Sequence, residues 1–127
     1  MSSKSIVDNF FHKRVKSFGY ALKGIASFIT KEANAWIHCL AIITVSIVGI
    51  YFNISTVEWC IVLLCFAMVL AAEAFNTAIE RLVNLVSPDY HTLAGDVKDI
   101  AAGAVLICAI AAAIIGVIVF IPYFFEI

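Results

Sequence analysis

The stretch Glu73-Ala-Phe-Asn76-Thr-Ala-Ile-Glu80 places two carboxylates and a carboxamide inside what otherwise reads as a membrane-spanning helix. An ionisable side chain at the bilayer centre costs at least about 2.5 to 3.5 kcal/mol on insertion scales, so such a group is ordinarily paired or functional. On a helix turning about 100° per residue, Glu73, Asn76 and Glu80, at i, i+3 and i+7, fall within about 60° of one another and share a face. Glu73 is the deeper and drier acid and suits a general base that accepts a hydroxyl proton. Glu80, and Glu32 ahead of the first apolar stretch, are hard oxygen ligands suited to Mg²⁺, which takes one or two protein carboxylates and completes its octahedron with phosphate oxygens and water. Lys98 offers a point charge for phosphate, while Asn76 either donates to a phosphoryl oxygen or positions Glu73.

The elements that must carry these residues are helices in lipid. A chain of 127 residues is one domain by length, and 64% hydrophobic content with a mean hydropathy of +1.06 excludes an ordinary soluble globule. Three apolar stretches, near residues 35–52, 57–86 and 100–125, are long enough to cross a hydrocarbon core, which takes about 20 helical residues. The second is free of charge only to Ala72. At about 1.5 Å per residue from Val57, Glu73 lies about 24 Å along it, within or at the rim of a core about 30 Å thick, and Glu80 falls near the far interface.

Charge sets the topology. Lys4, Lys13, Arg14, Lys16, Lys23 and Lys31 precede the first span, while Arg81 and Lys98 flank the connection between spans two and three. Three spans put both regions on one side, and the positive-inside rule makes that side cytoplasmic, N-terminus included. The net charge of −1 says little beside this asymmetry, and nothing points to nucleic acid. The first thirty residues contain neither a continuous apolar run nor a cleavage pattern, so they do not read as a secretory signal. Phe11, Val15, Phe18, Leu22, Ile25 and Ile29 recur at spacings of four and three, with Lys13, Lys16 and Lys23 off that stripe, which predicts an amphipathic surface helix over about residues 6–30. Gly19 and Gly24 are its weak points; a solvated basic tail, the alternative, would not need the stripe. Cys39, Cys60, Cys65 and Cys108 lack C-x-x-C spacing and lie in the spans, so they are expected to be free packing thiols.

With that topology, Glu32 before span one, Glu73, Asn76 and Glu80 on span two, and Lys98 and Asp99 opening span three gather at the cytoplasmic ends of the helices. Plainer readings exist for each. Glu32 and Lys31 fit interfacial charges, Glu80 and Arg81 fit solvated ones, and Asp96 and Asp99 fit an N-cap and first-turn acid of span three. Asn76 fits interhelical hydrogen bonding, His38 a hydrogen-bonded packing residue inside span one, and His91 a solvated loop residue. No G-x-x-x-x-G-K-[ST] or G-x-G-x-x-G occurs, so neither a P-loop nor a protein-kinase phosphate clamp is available.

Several motifs together resemble a known family: Glu73-x-x-Asn76-Thr77-Ala78-Ile79-Glu80, Tyr90-His91-x-Leu93-Ala94, and Val97-Lys98-Asp99-Ile100-Ala101-Ala102-Gly103-Ala104-Val105, with Gly19-Tyr20-Ala21-Leu22-Lys23-Gly24 and Glu32-Ala33-Asn34-Ala35-Trp36-Ile37-His38 upstream. The chain is similar, from about Phe11 to Pro122, to the small integral-membrane prokaryotic diacylglycerol kinases, which include the undecaprenol kinases. The resemblance implies an all-α membrane protein of the bacterial inner membrane: a homotrimeric helical bundle, each subunit with a surface helix and three spans, and active sites between subunits. It implies ATP as co-substrate, Mg²⁺ as cofactor and a membrane lipid alcohol as acceptor, with Glu73 as base, Asn76 beside the γ-phosphate, and Glu32 and Glu80 as metal ligands. Lys13, Tyr20, Glu32, Glu80, Asp89, Tyr90, His91, Lys98 and Asp99 would contact or frame the nucleotide, and Glu73 and Ala102 the lipid. Lys13 stands where an arginine is common, which keeps the charge and loses the bidentate fork. Asn84 stands where the family usually has Asp, so a local charge interaction is missing. Ala102 replaces a serine typical of the diacylglycerol branch. With Glu32-x-Asn34-x-x-Ile37-His38 and Val57-Glu58-Trp59, the chain looks more like the Gram-positive-type branch that prefers undecaprenol.

The reading is therefore an ATP- and Mg²⁺-dependent lipid kinase, with undecaprenol favoured over diacylglycerol. The rival is a small proton or ion transport subunit using Glu73 as an intramembrane carrier. Transport sites usually lie near the midplane at broken helices, whereas here the polar residues cluster at one surface and no proline interrupts a span before Pro122.

Overall fold

The computed structural model describes residues 2–127, and all its regular structure is helical: α1 (Ser3–Lys31), α2 (Ala33–Phe52), α3 (Thr56–Val86) and α4 (Thr92–Phe125). The chain divides into two compact units, one ending at Glu32 and the other comprising Ala33–Ile127.

The first unit is the amphipathic helix that the Phe11 to Ile29 stripe predicts, begun three residues earlier. Ser2 adopts extended backbone and its hydroxyl oxygen accepts the Lys4 N–H at 3.3 Å, satisfying one of the donors a helix start leaves unpaired. The helix runs unbroken through Gly19 and Gly24 and ends at Glu32, whose N–H reaches the Phe28 carbonyl at 3.2 Å. Phe11, Val15, Phe18, Leu22, Ile25 and Ile29 are all exposed, as an apolar face for a lipid surface requires.

The second unit contains three helices long and apolar enough to cross a membrane, so the protein is an all-α membrane protein. Leu63, Leu64, Ile107 and Ile118 point outward, which water would penalise and lipid does not. At about 1.5 Å per residue α3 is about 46 Å long, more than a hydrocarbon core is thick, so it extends past the lipid even where it continues as regular helix.

The turn between α2 and α3 is tightly specified. Asn53 has φ 50°, the left-handed conformation asparagine tolerates better than most residues. This lets the Ile54 N–H reach the Gly49 carbonyl and the Asn53 N–H reach that of Ile50, both at 3.1 Å, a Schellman closure of α2. Ser55 then starts α3 with a capping box: the Ser55 N–H donates to Glu58 Oε2 at 2.7 Å and the Glu58 N–H to Ser55 Oγ at 3.2 Å. Gly49 is buried because Trp59 lies on it; a Cβ there would stand 2.8 Å from the ring. Ile54, Val62 and Val119 form the core at this end, and Tyr123 Oη donates to Glu58 Oε2 at 2.6 Å, tying the end of α4 to the start of α3.

The start of α4 corrects one expectation. The helix begins at Thr92, eight residues before the apolar run near Ile100, and its N-cap is His91, whose Nδ1 accepts the Leu93 N–H at 3.1 Å. Asp96 and Asp99 are therefore interior helical residues rather than an N-cap and first-turn acid, and Lys98 lies in the second turn instead of opening the helix. Apolar content marks where lipid begins, whereas capping and backbone hydrogen bonds mark where the helix begins.

Candidate active site

The loop end of the second unit, where residues 87–91 join α3 to α4, is held differently from the turn end. Glu73, Asn76 and Thr77 are the buried polar side chains among the described residues, with Glu73 only 4% exposed. With Glu80 and Asn84 they follow spacings of three and four along α3 and make a polar strip within about 100° of arc and about 16 Å long. The strip is pinned from two sides. At its deep end His38 Nε2 of α2 lies 3.3 Å from Glu73 Oε1, and at its outer end Lys98 Nζ of α4 donates to Asn84 Oδ1 at 2.6 Å. Between these two bonds, Asn76 Oδ1 is buried with no hydrogen-bond partner. A buried acceptor left unmade costs about 1–3 kcal/mol, so its position marks a place where a further donor belongs.

Beside the deep end lies an apolar cavity of about 250 Å³ between the three helices. Its α4 wall combines the small Ala109, Ala112 and Gly116 with the larger Ile115 and Phe120, and Cys65 and Val69 form part of the α3 wall. His38 lines it as well, so one imidazole borders both the cavity and the Glu73 carboxylate.

The structure brings together some of the expected residues. Glu73, Asn76 and Glu80 share the α3 face as their spacing predicts, Glu73 and Asn76 buried and Glu80 exposed. Lys98 reaches this face through Asn84, one turn beyond Glu80, by a hydrogen bond to a neutral amide. Asp89, Tyr90, His91, Asp99 and Ala102 are exposed around the loop end, and His91 is bound up in capping α4. Lys13, Tyr20 and Glu32 belong to the first unit, where Lys13 and Tyr20 are exposed and Glu32 is half-buried. No three His, Cys, Asp or Glu side chains among the described residues form a closed metal cluster. An open carboxylate such as Glu80 suits Mg²⁺, which takes most of its ligands from phosphate and water. The four cysteines are free thiols.

Sequence reasoning passed over His38 as part of the site. The signal was present: a histidine and a glutamate in neighbouring spans are each costly in lipid, and intramembrane polar groups ordinarily find one another.

The family model described as prokaryotic diacylglycerol kinase matches residues 19–120. The undecaprenol kinase of Bacillus subtilis (strain 168) is 38% identical over 114 residues, covering 90% of this chain and 93% of that protein. The diacylglycerol kinase of Synechocystis is 36% identical over 84% of this chain and 61% of its own length, and that of Escherichia coli K12 is 28% identical over 82% and 85%. A membrane-embedded strip of carboxylate and amide, on a three-span unit that matches this model almost end to end, means that the chain belongs to the prokaryotic diacylglycerol kinase family of membrane lipid kinases.

Proposed function

We propose that this kinase transfers the γ-phosphoryl group of ATP to the hydroxyl of a membrane lipid at the cytoplasmic face, with undecaprenol the favoured acceptor. The observation that carries the reading is the buried Glu73 carboxylate with the unpartnered Asn76 Oδ1 one turn away on α3. A lipid alcohol brings a single O–H donor to this buried polar face, and the Glu73 carboxylate is the group there that can take its proton. Glu73 removes the hydroxyl proton as the lipid oxygen bonds to the γ-phosphorus and the bond to the β,γ-bridging oxygen breaks, releasing ADP. Asn76 holds the reacting groups in register, and Lys98 supplies positive charge to the phosphates from a point fixed by Asn84. Asp89, Tyr90, His91 and Asp99 frame the nucleotide; for Lys13 and Tyr20 the family resemblance is the support.

The donor chemistry fits Mg²⁺: Glu80 offers an exposed hard carboxylate, and Glu32, on its chemistry alone, offers a second. When bound, the ion supplies neutralisation of phosphate charge. The family resemblance supports the inner-membrane placement, and the Lys and Arg asymmetry supports a cytoplasmic N-terminus. A homotrimer with composite sites follows from the family resemblance, and the exposed apolar faces of α2 to α4 leave room for it.

Undecaprenol is favoured by the relative named for it, which covers 90% of the chain, and by Ala102 in place of a branch-typical serine. Diacylglycerol is the alternative, since two of the relatives cited above are named for it. Purified protein in lipid-containing micelles should consume ATP only with a lipid alcohol present. Offered both alcohols at equal surface fraction, it should phosphorylate undecaprenol faster. No phosphorylated product from either lipid would refute the kinase reading; faster turnover of diacylglycerol would refute the preference.

A further inference from the structure

A carboxylate that acts as a base inside lipid needs one oxygen held and one oxygen free. Glu73 is 4% exposed, and its Oε1 lies 3.3 Å from His38 Nε2 while the His38 side chain is itself only 21% exposed. An ionised carboxylate accepts hydrogen bonds and donates none, so the facing ring nitrogen must carry the proton and donate. The bond crosses from α2 to α3 and therefore fixes the rotation of the carboxylate against a second helix rather than against its own. His38 also borders the apolar cavity, whose other α2 lining residues, Ala41, Ile42 and Val45, offer no side-chain donor. No competing α2 side chain in that wall can take its place. In the antiparallel arrangement His38, Val69 and Ala109 lie at the loop end of the cavity, the end from which a lipid headgroup would reach Glu73.

We propose that His38 is a positioning residue: its Nε2–H holds Glu73 Oε1 so that Oε2 is presented to the lipid hydroxyl. The inference rests on the reading of Glu73 as base. Because His38 acts through Glu73, its loss should appear in kcat and not in the KM for ATP, and should vanish once Glu73 no longer acts as a base. Displacing a reacting group by about 1 Å can cost about 10²-fold, which sets the scale expected here.

The test is a kinetic cycle on the purified full-length protein with a lipid alcohol in micelles, using His38→Ala, His38→Gln, Glu73→Gln and the double variant His38→Ala/Glu73→Gln. Glutamine can place an amide N–H near the position of Nε2, so it separates loss of the donor from loss of packing. The expected result is a fall in kcat of about 10²-fold in His38→Ala at unchanged KM for ATP, recovery to within several-fold of wild type in His38→Gln, and a double variant no slower than Glu73→Gln alone. Multiplicative losses in the double variant, equal losses in His38→Ala and His38→Gln, or wild-type turnover in His38→Ala would each overturn the positioning role. The two readings fail differently: an inactive Glu73→Gln beside a fully active His38→Ala removes only the role of His38, whereas a fully active Glu73→Gln removes the base and the positioning role with it.

Discussion

Replacing Glu73 by glutamine takes away a proton acceptor and leaves the rest of the site nearly as it was. The amide has the same length and branching, and its oxygen can still accept from His38 Nε2 across the 3.3 Å now spanned by Oε1. A retained hydrogen bond and an unchanged volume at a position only 4% exposed should keep folding stability within about 1 kcal/mol of wild type. Chemistry should respond very differently. A general base contributes about 10²- to 10⁴-fold, so turnover should fall by at least about 10²-fold, equivalent to about 2.7 kcal/mol of transition-state stabilisation. That loss should appear equally in kcat and in kcat/KM, with nucleotide affinity preserved, because the side chain sits deep on α3 while the residues proposed to frame the nucleotide lie toward the loop end. Glu73→Asp should be nearly as poor, since shortening by a methylene withdraws the carboxylate both from His38 and from the hydroxyl it must reach. The assay measures ATP-dependent lipid phosphorylation, nucleotide binding and thermal unfolding on one purified preparation of each variant. Near-normal turnover in a well-folded Glu73→Gln would show that this acid serves packing, and the mechanism would fail with it.

The remaining predictions address the metal, the outer bond and the turn end. Glu32→Gln and Glu80→Gln should each raise the Mg²⁺ concentration needed for half-maximal rate, with activity partly restored at high Mg²⁺; an unchanged Mg²⁺ response in either variant excludes that residue as a ligand. Asn84→Asp should convert the Lys98 hydrogen bond into an exposed ion pair worth about 0.2–1 kcal/mol, measured as a gain in unfolding free energy that disappears in high salt. Gly49→Leu should destabilise by about 1–3 kcal/mol through collision with Trp59, offset in part by helix propensity, yet leave the specific activity of folded protein unchanged because Trp59 lies about 21 Å along α3 from Glu73. A loss of specific activity in Gly49→Leu at full folding would contradict the independence of the two ends.

What the sequence by itself determined is whatever depends on local period and on the cost of charge in lipid. The spacing of four and three from Phe11 to Ile29 is enough to predict α1, and the apolar runs predict α2 and α3 to within two residues at each end. Glu73, Asn76 and Glu80 could be placed on one face because a helix has a fixed angular step, and α3 is an uninterrupted helix through them. The start of α4 escaped this reasoning, since hydropathy reports where lipid begins and is blind to a helix that starts at a histidine cap eight residues earlier. Tertiary structure alone decided the partners. Which α2 side chain meets Glu73 depends on the register between two helices, and that register is set far away by the Asn53 turn and by Trp59 lying on Gly49. Likewise Lys98 meets Asn84 across fourteen residues because the loop after Ser87 folds α4 back along α3. Periodicity fixes where side chains lie around one helix axis; only packing fixes the rotation and offset of one helix against the next, and His38 became part of the site through those two quantities.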